Sequence, residues 1–96
     1  MSDIPNQDDK ENIKKNLKLR LRKIEGQVRG IYKMIEEDRE CDEILTQICA
    51  VKSAVNSVGI TILSCHLTES IKKSIQNNED VGKHLKDVIF LLKKFS

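Results

Sequence analysis

The sequence has few aromatic residues, a single proline and only three cysteines. Aromatic residues make up 3% of the chain, so the core must be built from Ile, Leu and Val, which commonly fill helix interfaces. Because the one proline is Pro5, the rest of the chain is free to form long helices. Three cysteines without a secretory signal do not suggest a disulfide framework. We therefore expect a cytoplasmic protein with reduced thiols.

Long apolar runs are also lacking. No stretch approaches the roughly 20 consecutive apolar residues that cross a bilayer, so we expect no membrane segment. The 96 residues fit one domain, and so short a chain buries a small fraction of its surface. We therefore expect the chain to associate with further copies of itself, which buries more surface.

Charge is distributed unevenly, although the net charge is only +2. Residues 14–33 contain eight cations and one acid, whereas residues 36–43 contain six acids and one cation. The first segment should attract phosphate and the second should repel it. The basic run is equally typical of a solvated helix face, so charge alone does not establish nucleic-acid binding.

Apolar residues recur at spacings of three and four in three segments, which is the helical period. The first stripe runs from Ile13 to Ile35, and its helix should end near Asp38. The second predicts a helix from about Cys41 to Gln76. The third runs from Val81 to Phe95. The predicted N-terminal caps are Asp8 or Asp9, Asp42 and Asp80.

The predicted fold class is all-α, a three-helix protomer in which the first two helices pack antiparallel. Residues 1–8 are predicted to be a flexible tail, and residues 9–96 a single helical domain. Long amphipathic helices in so short a chain expose apolar surface, which a second copy can cover.

The middle of the second helix contains Ala50, Ser53, Ala54 and Ser57, small residues that allow another helix to approach closely. We consider two copies paired antiparallel about an axis between Ser53 and Ala54. This register places Cys41 of one chain opposite His66 of the other. Within one helix these residues are 25 positions, or roughly 37 Å, apart. The dimer would thus hold two equivalent sites, each built from both chains.

A thiolate and an imidazole suit Cu(I), Zn(II) or Ni(II). Cys65 and Ser70 lie close enough to His66 in sequence for either to add a third donor, although Cys65 points about 100° away. Cys49 is expected to be a small core residue and His84 a surface residue.

One long segment, LRLRKIEGQVRGI at positions 19–31, is followed by Cys41, Thr46-Gln47-Ile48, residues 50–54 and His66. Together these resemble the copper-sensing, nickel/cobalt-sensing and formaldehyde-sensing repressors, often called the CsoR/RcnR/FrmR family. The resemblance runs from about Leu17 to Leu92. Gly26 and Gly30 would each destabilise a helix by about 1 kcal/mol, so we expect a close-packing or DNA-facing role for them.

The resemblance implies a dimer built on the second helix, usually doubled to a homotetramer, that binds operator DNA without a helix-turn-helix motif. Binding of a small inducer releases the DNA. Carried over by position, Cys41 and His66 are the metal or inducer ligands, and Arg20 and Lys52 are basic positions associated with operator contact. Charge and helical spacing add Lys14, Lys15, Lys18, Arg22, Arg29 and Lys33 as DNA-binding candidates.

The chain also departs from the pattern. Copper-sensing members typically have a second cysteine where this chain has Ser70, so a Cu(I) site would lack one soft ligand unless Cys65 or an external thiol supplies it. Nickel/cobalt sensors use further histidines that are not present here. Formaldehyde sensors share a hydroxyl at the Ser70 position but use an N-terminal proline, whereas Pro5 is internal. Cys41 with Cys65 would be an unusual version of the cysteine pair of persulfide sensors.

We therefore predict a transcriptional repressor whose inducer is a metal ion, Cu(I) first and Zn or Ni after it. An aldehyde or reactive sulfur species acting on Cys41 is the alternative inducer. A helical interaction module that does not bind DNA is an alternative of another class. An enzyme is not expected, because no nucleophile, base and orienting group occur together at a recognisable spacing.

Overall fold

The computed structural model describes residues 7–95, which form three α-helices and contain no strand. Helix α1 is Gln7–Glu36, α2 is Cys41–Gln76 and α3 is Val81–Phe95. The predicted all-α, three-helix protomer is confirmed, and both ends of α2 lie where the apolar period places them.

The predicted start of the first helix is wrong by a short segment. Helix α1 already includes Gln7, so Asp8 and Asp9 lie within the helix and not at the residue before it. Gln7 and Asp8 are thus already helical. The rest of that tail, residues 1–6 with Pro5, lies outside the described residues.

Of the other two predicted caps, one is wrong and one is confirmed. Helix α2 begins at Cys41, and its first backbone bond runs from the Ile44 amide to the Glu40 carbonyl at 3.1 Å. Asp42 therefore lies in the first turn, where a negative charge interacts favourably with the helix dipole. At α3 the Asp80 Oδ1 accepts a hydrogen bond from the Gly82 amide at 3.0 Å, as a cap does.

The turn after α1 depends on a residue in the left-handed conformation. Asp38 has φ 54°, and the Arg39 amide bonds back to the Met34 carbonyl at 3.0 Å. The Asp38 amide bonds to the Ile35 carbonyl at 3.2 Å, which completes a Schellman motif. At the end of α2, Asn78 also has φ 54° and the Glu79 amide reaches the Ser74 carbonyl at 2.8 Å. Both helices thus end in the same way, without glycine.

The chain divides into two compact units, Met1–Val58 and Gly59–Ser96. In the described part of the first unit, the buried apolar side chains are Ile24 and Val58. In that of the second, Val88 is buried together with the hydroxyls of Ser70 and Ser74. These small cores leave much apolar surface exposed in the single chain.

Helix α2 has the largest share of this surface. It contains an 18-residue window of mean hydropathy 1.5, of which 6% is buried. By length and composition alone the helix could cross a membrane, but core helices of soluble proteins share this composition, so one such helix does not establish a membrane segment. In the single chain most of this window is not buried.

We predict that Asp38→Gly raises the free energy of unfolding by about 0.5–1 kcal/mol, because glycine adopts positive φ without a steric penalty. Urea unfolding followed by circular dichroism measures the change. Asp38→Asn, which removes the charge but keeps a side chain, separates the conformational effect from the favourable loss of an acid at a helix C-terminus. If the asparagine variant gains as much as the glycine variant, backbone strain is not the cause.

Candidate metal centre and nucleic-acid interface

Cys41 is the first residue of α2, and its side chain is exposed. The turn before it is held by ion pairs of Arg39, whose Nε lies 2.9 Å from the Glu43 Oε2 and whose Nη1 lies 4.0 Å from the Glu37 Oε2. The Thr46 hydroxyl donates to the Asp42 carbonyl at 2.8 Å. These exposed contacts lie at the start of α2 and leave the thiol accessible.

The other three ligand candidates lie in the second unit. His66 is exposed, Cys65 is half-buried and Ser70 is buried, with 8% of its surface accessible. One turn further, Ser74 is fully buried, and among the described residues its hydroxyl has no hydrogen-bond partner. Of the candidates near His66, Cys65 is thus more accessible than Ser70.

Cys41 and His66 belong to different units of one chain. Among residues 7–95, no three His, Cys, Asp or Glu side chains are grouped so that they could hold a metal ion. The pairing of Cys41 with His66 of a second copy stays a prediction.

Cys49 and His84 were predicted to be a core residue and a surface residue. The Cys49 side chain is exposed, so it is not a core residue of the single chain. His84 is partly exposed, and its Nε2 lies 3.4 Å from the Glu79 Oε2 at the start of α3. Cys49 offers a second exposed thiol on α2 with which Cys41 can be compared.

Six cations share one side of α1. Lys15, Arg22 and Arg29 follow each other at intervals of seven residues, and a seven-residue step turns a helix by only about 20°. The hollow along this side is lined by Lys14, Lys15, Lys18 and Arg22, together with Glu11, Asn12 and Leu19. All six side chains are exposed. We call the set the basic stripe: Lys14, Lys15, Lys18, Arg22, Arg29 and Lys33.

Lys33 of the basic stripe forms an ion pair with an acidic residue at the end of α1. Lys33 Nζ lies 3.9 Å from the Glu37 Oε1, and both side chains are well exposed. Exposed ion pairs of this kind contribute little, so Lys33 keeps most of its capacity to attract phosphate.

Arg20 does not belong to the basic stripe. It is two residues from both Lys18 and Arg22, which places it about 200° around the helix from them. Its side chain is half-buried, and its guanidinium Nη2 donates a hydrogen bond to the Ser57 hydroxyl of α2. Lys52, the other position implied by the family resemblance, is exposed on α2 in the same unit. Lys52 is five residues before Ser57 and lies about 140° from it around α2, so the basic stripe, Arg20 and Lys52 are three separate positions.

Ser57 is the residue that sequence analysis assigned differently. It was grouped with Ala50, Ser53 and Ala54 as part of a surface for a partner helix, yet it contacts α1 of its own chain. Its bond joins residues 37 positions apart, and no local pattern in the sequence signals such a pair.

A row of exposed apolar residues follows one side of α2. Ile48, Val55 and Ile62 recur at intervals of seven, and between 42% and 51% of each is exposed. We call them the apolar seam. Ser57 is two residues after Val55, and thus about 200° away around the helix. The apolar seam is therefore uncovered and lies on a different side from the one where Ser57 meets α1, although Ile60 and Ile75, on other sides of α2, are exposed as well.

Gly26 and Gly30 are exposed on α1, and a Cβ atom added to either would meet nothing within 4 Å. The described chain therefore gives no close-packing reason for these glycines. Of the two roles expected for these glycines, only contact with another molecule such as DNA remains.

Comparison with known proteins identifies relatives. A family model for metal-sensitive transcriptional repressors matches residues 13–94. The copper-sensing transcriptional repressor RicR of Mycobacterium tuberculosis is 50% identical over 62 residues, which are 65% of each protein. The copper-sensing repressor CsoR of Bacillus subtilis is 39% identical over 77 residues, covering 80% of this chain and 75% of that one. The transcriptional repressor RcnR of Escherichia coli K12 is 40% identical over 76 residues, covering 76% and 84%.

Two solved structures have the same fold. The copper-sensing repressor CsoR with Cu(I) from Geobacillus thermodenitrificans superposes with a TM-score of 0.71 at 36% identity, over 95% of this chain and 90% of that one. The nickel-responsive transcriptional regulator InrS gives a TM-score of 0.74 at 28% identity, over 100% and 99%. The resemblance drawn from the sequence motifs is thereby confirmed.

We predict that Gly30→Ala raises the free energy of unfolding by about 1 kcal/mol, because alanine favours a helix and the added methyl group meets no atom of the chain. Urea unfolding measures the gain. Gly82→Ala is the contrasting variant, since its Cβ would lie 3.2 Å from the Asp80 Oδ1 that caps α3, and it should gain less. A loss of stability in Gly30→Ala that grows with protein concentration would instead show a second copy packed against this glycine.

Proposed function

Because the chain belongs to the family of metal-sensitive transcriptional repressors, we propose that it represses transcription from an operator and leaves the DNA when its inducer is captured between two copies. Members of this family are repressors, which sets aside both an enzyme and a helical module without DNA binding. Such a protein acts in the cytoplasm, where bacterial DNA lies. The observation that carries the proposal is the uncovered apolar seam of α2, together with an exposed Cys41 and an exposed His66.

The helical period relates both ligands to the apolar seam. Cys41 is seven residues before Ile48 and His66 is four after Ile62, so both lie on the same side of α2 as the seam. An antiparallel pair in which Cys41 faces the partner's His66 also places Ile62 against the partner's Leu45. One register thus covers the apolar seam and assembles the ligand pair.

The same register has a consequence at its centre. Val55 lies opposite Lys52 of the other copy, where the lysine stem can cover apolar surface while its ammonium group stays in water. A second copy on the apolar seam, followed by a second dimer, also explains why α2 is so apolar without placing it in a membrane. We therefore propose a homodimer that assembles into a homotetramer.

We propose Cu(I) as the inducer. A thiolate and an imidazole are donors that bind Cu(I) well, and two of the relatives named above are copper-sensing repressors. Cys65 is the candidate for a third donor, because it is half-buried beside His66 while Ser70 is buried. Zn(II) and Ni(II) accept the same donors and follow as weaker candidates; the relative InrS is nickel-responsive.

A second inducer class is favoured by Ser70. With a hydroxyl at position 70 in place of a second cysteine, the site has only one thiolate, Cys41, and one imidazole, His66. The Cys41 thiol is also exposed to reagents in solution. An aldehyde or a reactive sulfur species that modifies the Cys41 thiolate would then act as the inducer. Reagents of both classes therefore belong in the same titration.

The operator is held by cations on both helices. The basic stripe supplies charge that releases counterions from the DNA, and Arg20 and Lys52 add contacts outside the basic stripe. When the inducer binds Cys41 and His66, the two copies change their relative orientation and the affinity for DNA falls. Allosteric coupling free energies are typically about 1–3 kcal/mol.

We predict that Cu(I) releases the wild-type protein from DNA and that Cys41→Ala abolishes this response. The measurement is fluorescence anisotropy under anaerobic conditions, on a duplex selected by the protein from a random pool. Zn(II), Ni(II), formaldehyde and an inorganic polysulfide are titrated in parallel; the polysulfide can transfer a sulfur atom to the Cys41 thiolate and leave as a shorter polysulfide. Cys49→Ala is the matched control, because it removes another exposed thiol from α2 and should respond like the wild type.

The same assay tests whether the site is shared. His66→Ala alone should fail to respond, but a mixture of Cys41→Ala and His66→Ala chains, unfolded and refolded together, forms mixed dimers with one intact site. Response should return in the mixture. If the mixture stays unresponsive although mixed dimers form, the two ligands do not come from different copies.

We predict that Lys18→Gln and Arg22→Gln each reduce the salt dependence of DNA binding. Each phosphate contact contributes about 0.9 to the slope of log affinity against log salt concentration, so each variant should lower the slope by about that amount. Binding is measured at several salt concentrations between 50 and 300 mM. Lys83→Gln removes an exposed cation from α3 and should leave the slope unchanged; an equal effect there would mean that net charge and not the basic stripe governs binding.

A further inference from the structure

Arg20 and the basic stripe are held differently. The six side chains of the basic stripe are exposed on one side of α1. Arg20 is half-buried on another side of the helix and is bonded to Ser57 of α2. A long cation that is free in solvent binds phosphate as a mobile charge, whereas one fixed by a second helix can offer a defined geometry.

A guanidinium group that is held in place can recognise a specific pair of hydrogen-bond acceptors. Arginine has five N–H donors in a rigid plane, and the bond to Ser57 occupies a donor of one terminal nitrogen. The remaining donors can still pair with two acceptors at once, either on a phosphate or on a guanine edge. Because the Ser57 hydroxyl anchors the plane, less side-chain freedom is lost when DNA binds.

We propose that Ser57 is a positioning residue for Arg20 and that this pair determines operator specificity, while the basic stripe supplies affinity for any DNA sequence. The proposal rests on the proposed function, since it assigns different tasks to residues that are proposed to bind DNA. It divides the DNA-binding candidates by how each side chain is held.

The test compares two duplexes of equal length and composition: one selected by the wild-type protein from a random pool, and one with the same bases scrambled. The ratio of the two dissociation constants measures specificity. For Ser57→Ala we expect the ratio to fall about tenfold, because the charge-assisted hydrogen bond that orients the Arg20 guanidinium is lost. The charge of Arg20 remains, so affinity for the scrambled duplex should change less than twofold. Arg20→Lys keeps the charge but loses the planar fork, and should lower the ratio at least as much.

Further variants exclude a merely structural effect. Ser57→Thr keeps the hydroxyl and should keep the wild-type ratio, whereas Ser64→Ala removes an exposed α2 hydroxyl that bonds to the Ile60 carbonyl of its own helix and should leave the ratio unchanged. Lys18→Gln, from the basic stripe, should weaken binding to both duplexes equally. The double variant Ser57→Ala/Arg20→Lys should lose no more specificity than Arg20→Lys alone, since both changes remove one interaction.

Three results would overturn the proposal. The first is a ratio in Ser57→Ala within twofold of the wild type. The second is an equal loss of affinity for both duplexes, which would make Ser57 a general structural residue. The third is additive loss in the double variant, which would mean that the two residues act separately. A wild-type protein that selects no sequence at all would overturn the proposed function itself, and this proposal with it.

Discussion

The uncovered apolar side of α2 is the constraint on which the other features depend. A chain of this length with three helices has too few buried side chains to cover a 36-residue apolar helix by itself. Burial of apolar surface yields roughly 25 cal/mol per Å², so exposed residues such as Ile48 and Val55 strongly favour association. An antiparallel copy is the simplest cover, and it also brings the two ends of α2 from different chains together. In the proposed dimer, ligand binding and self-association are therefore parts of one arrangement.

Helix α1 separates two kinds of surface around its axis. Its apolar residues, from Ile13 to Ile35, follow one stripe, and the basic stripe lies on another side. Arg20 lies outside both, at the border with α2, where Ser57 holds it. A helix of this design can give sequence-independent attraction and a geometrically defined contact at once, because the two tasks occupy different sides.

Features set by neighbouring residues could be predicted from the sequence, and features set by packing could not. The bounds of α2 and the Asp80 cap follow from local period and capping chemistry. Asp42 was assigned wrongly because a cap depends on where the helix starts to within one residue, and several acids compete there. The partner of Arg20 depends on a contact over 37 positions, and the side of α2 that stays uncovered depends on where α1 packs. The family resemblance was accessible from motifs alone, whereas the pairing of Cys41 with His66 needs a second chain.

The position of Cys41 suggests how occupation of the proposed site reaches the DNA-binding residues. Cys41 is the first residue of α2 and follows a short turn whose backbone hydrogen bonds close around Asp38. A ligand that draws the Cys41 thiol toward another chain would therefore pull on a short connection to α1. Since α1 contains both the basic stripe and Arg20, a small shift there would change these proposed DNA contacts together. A coupling of about 1–3 kcal/mol, corresponding to roughly 5- to 150-fold in affinity, needs no larger rearrangement than this.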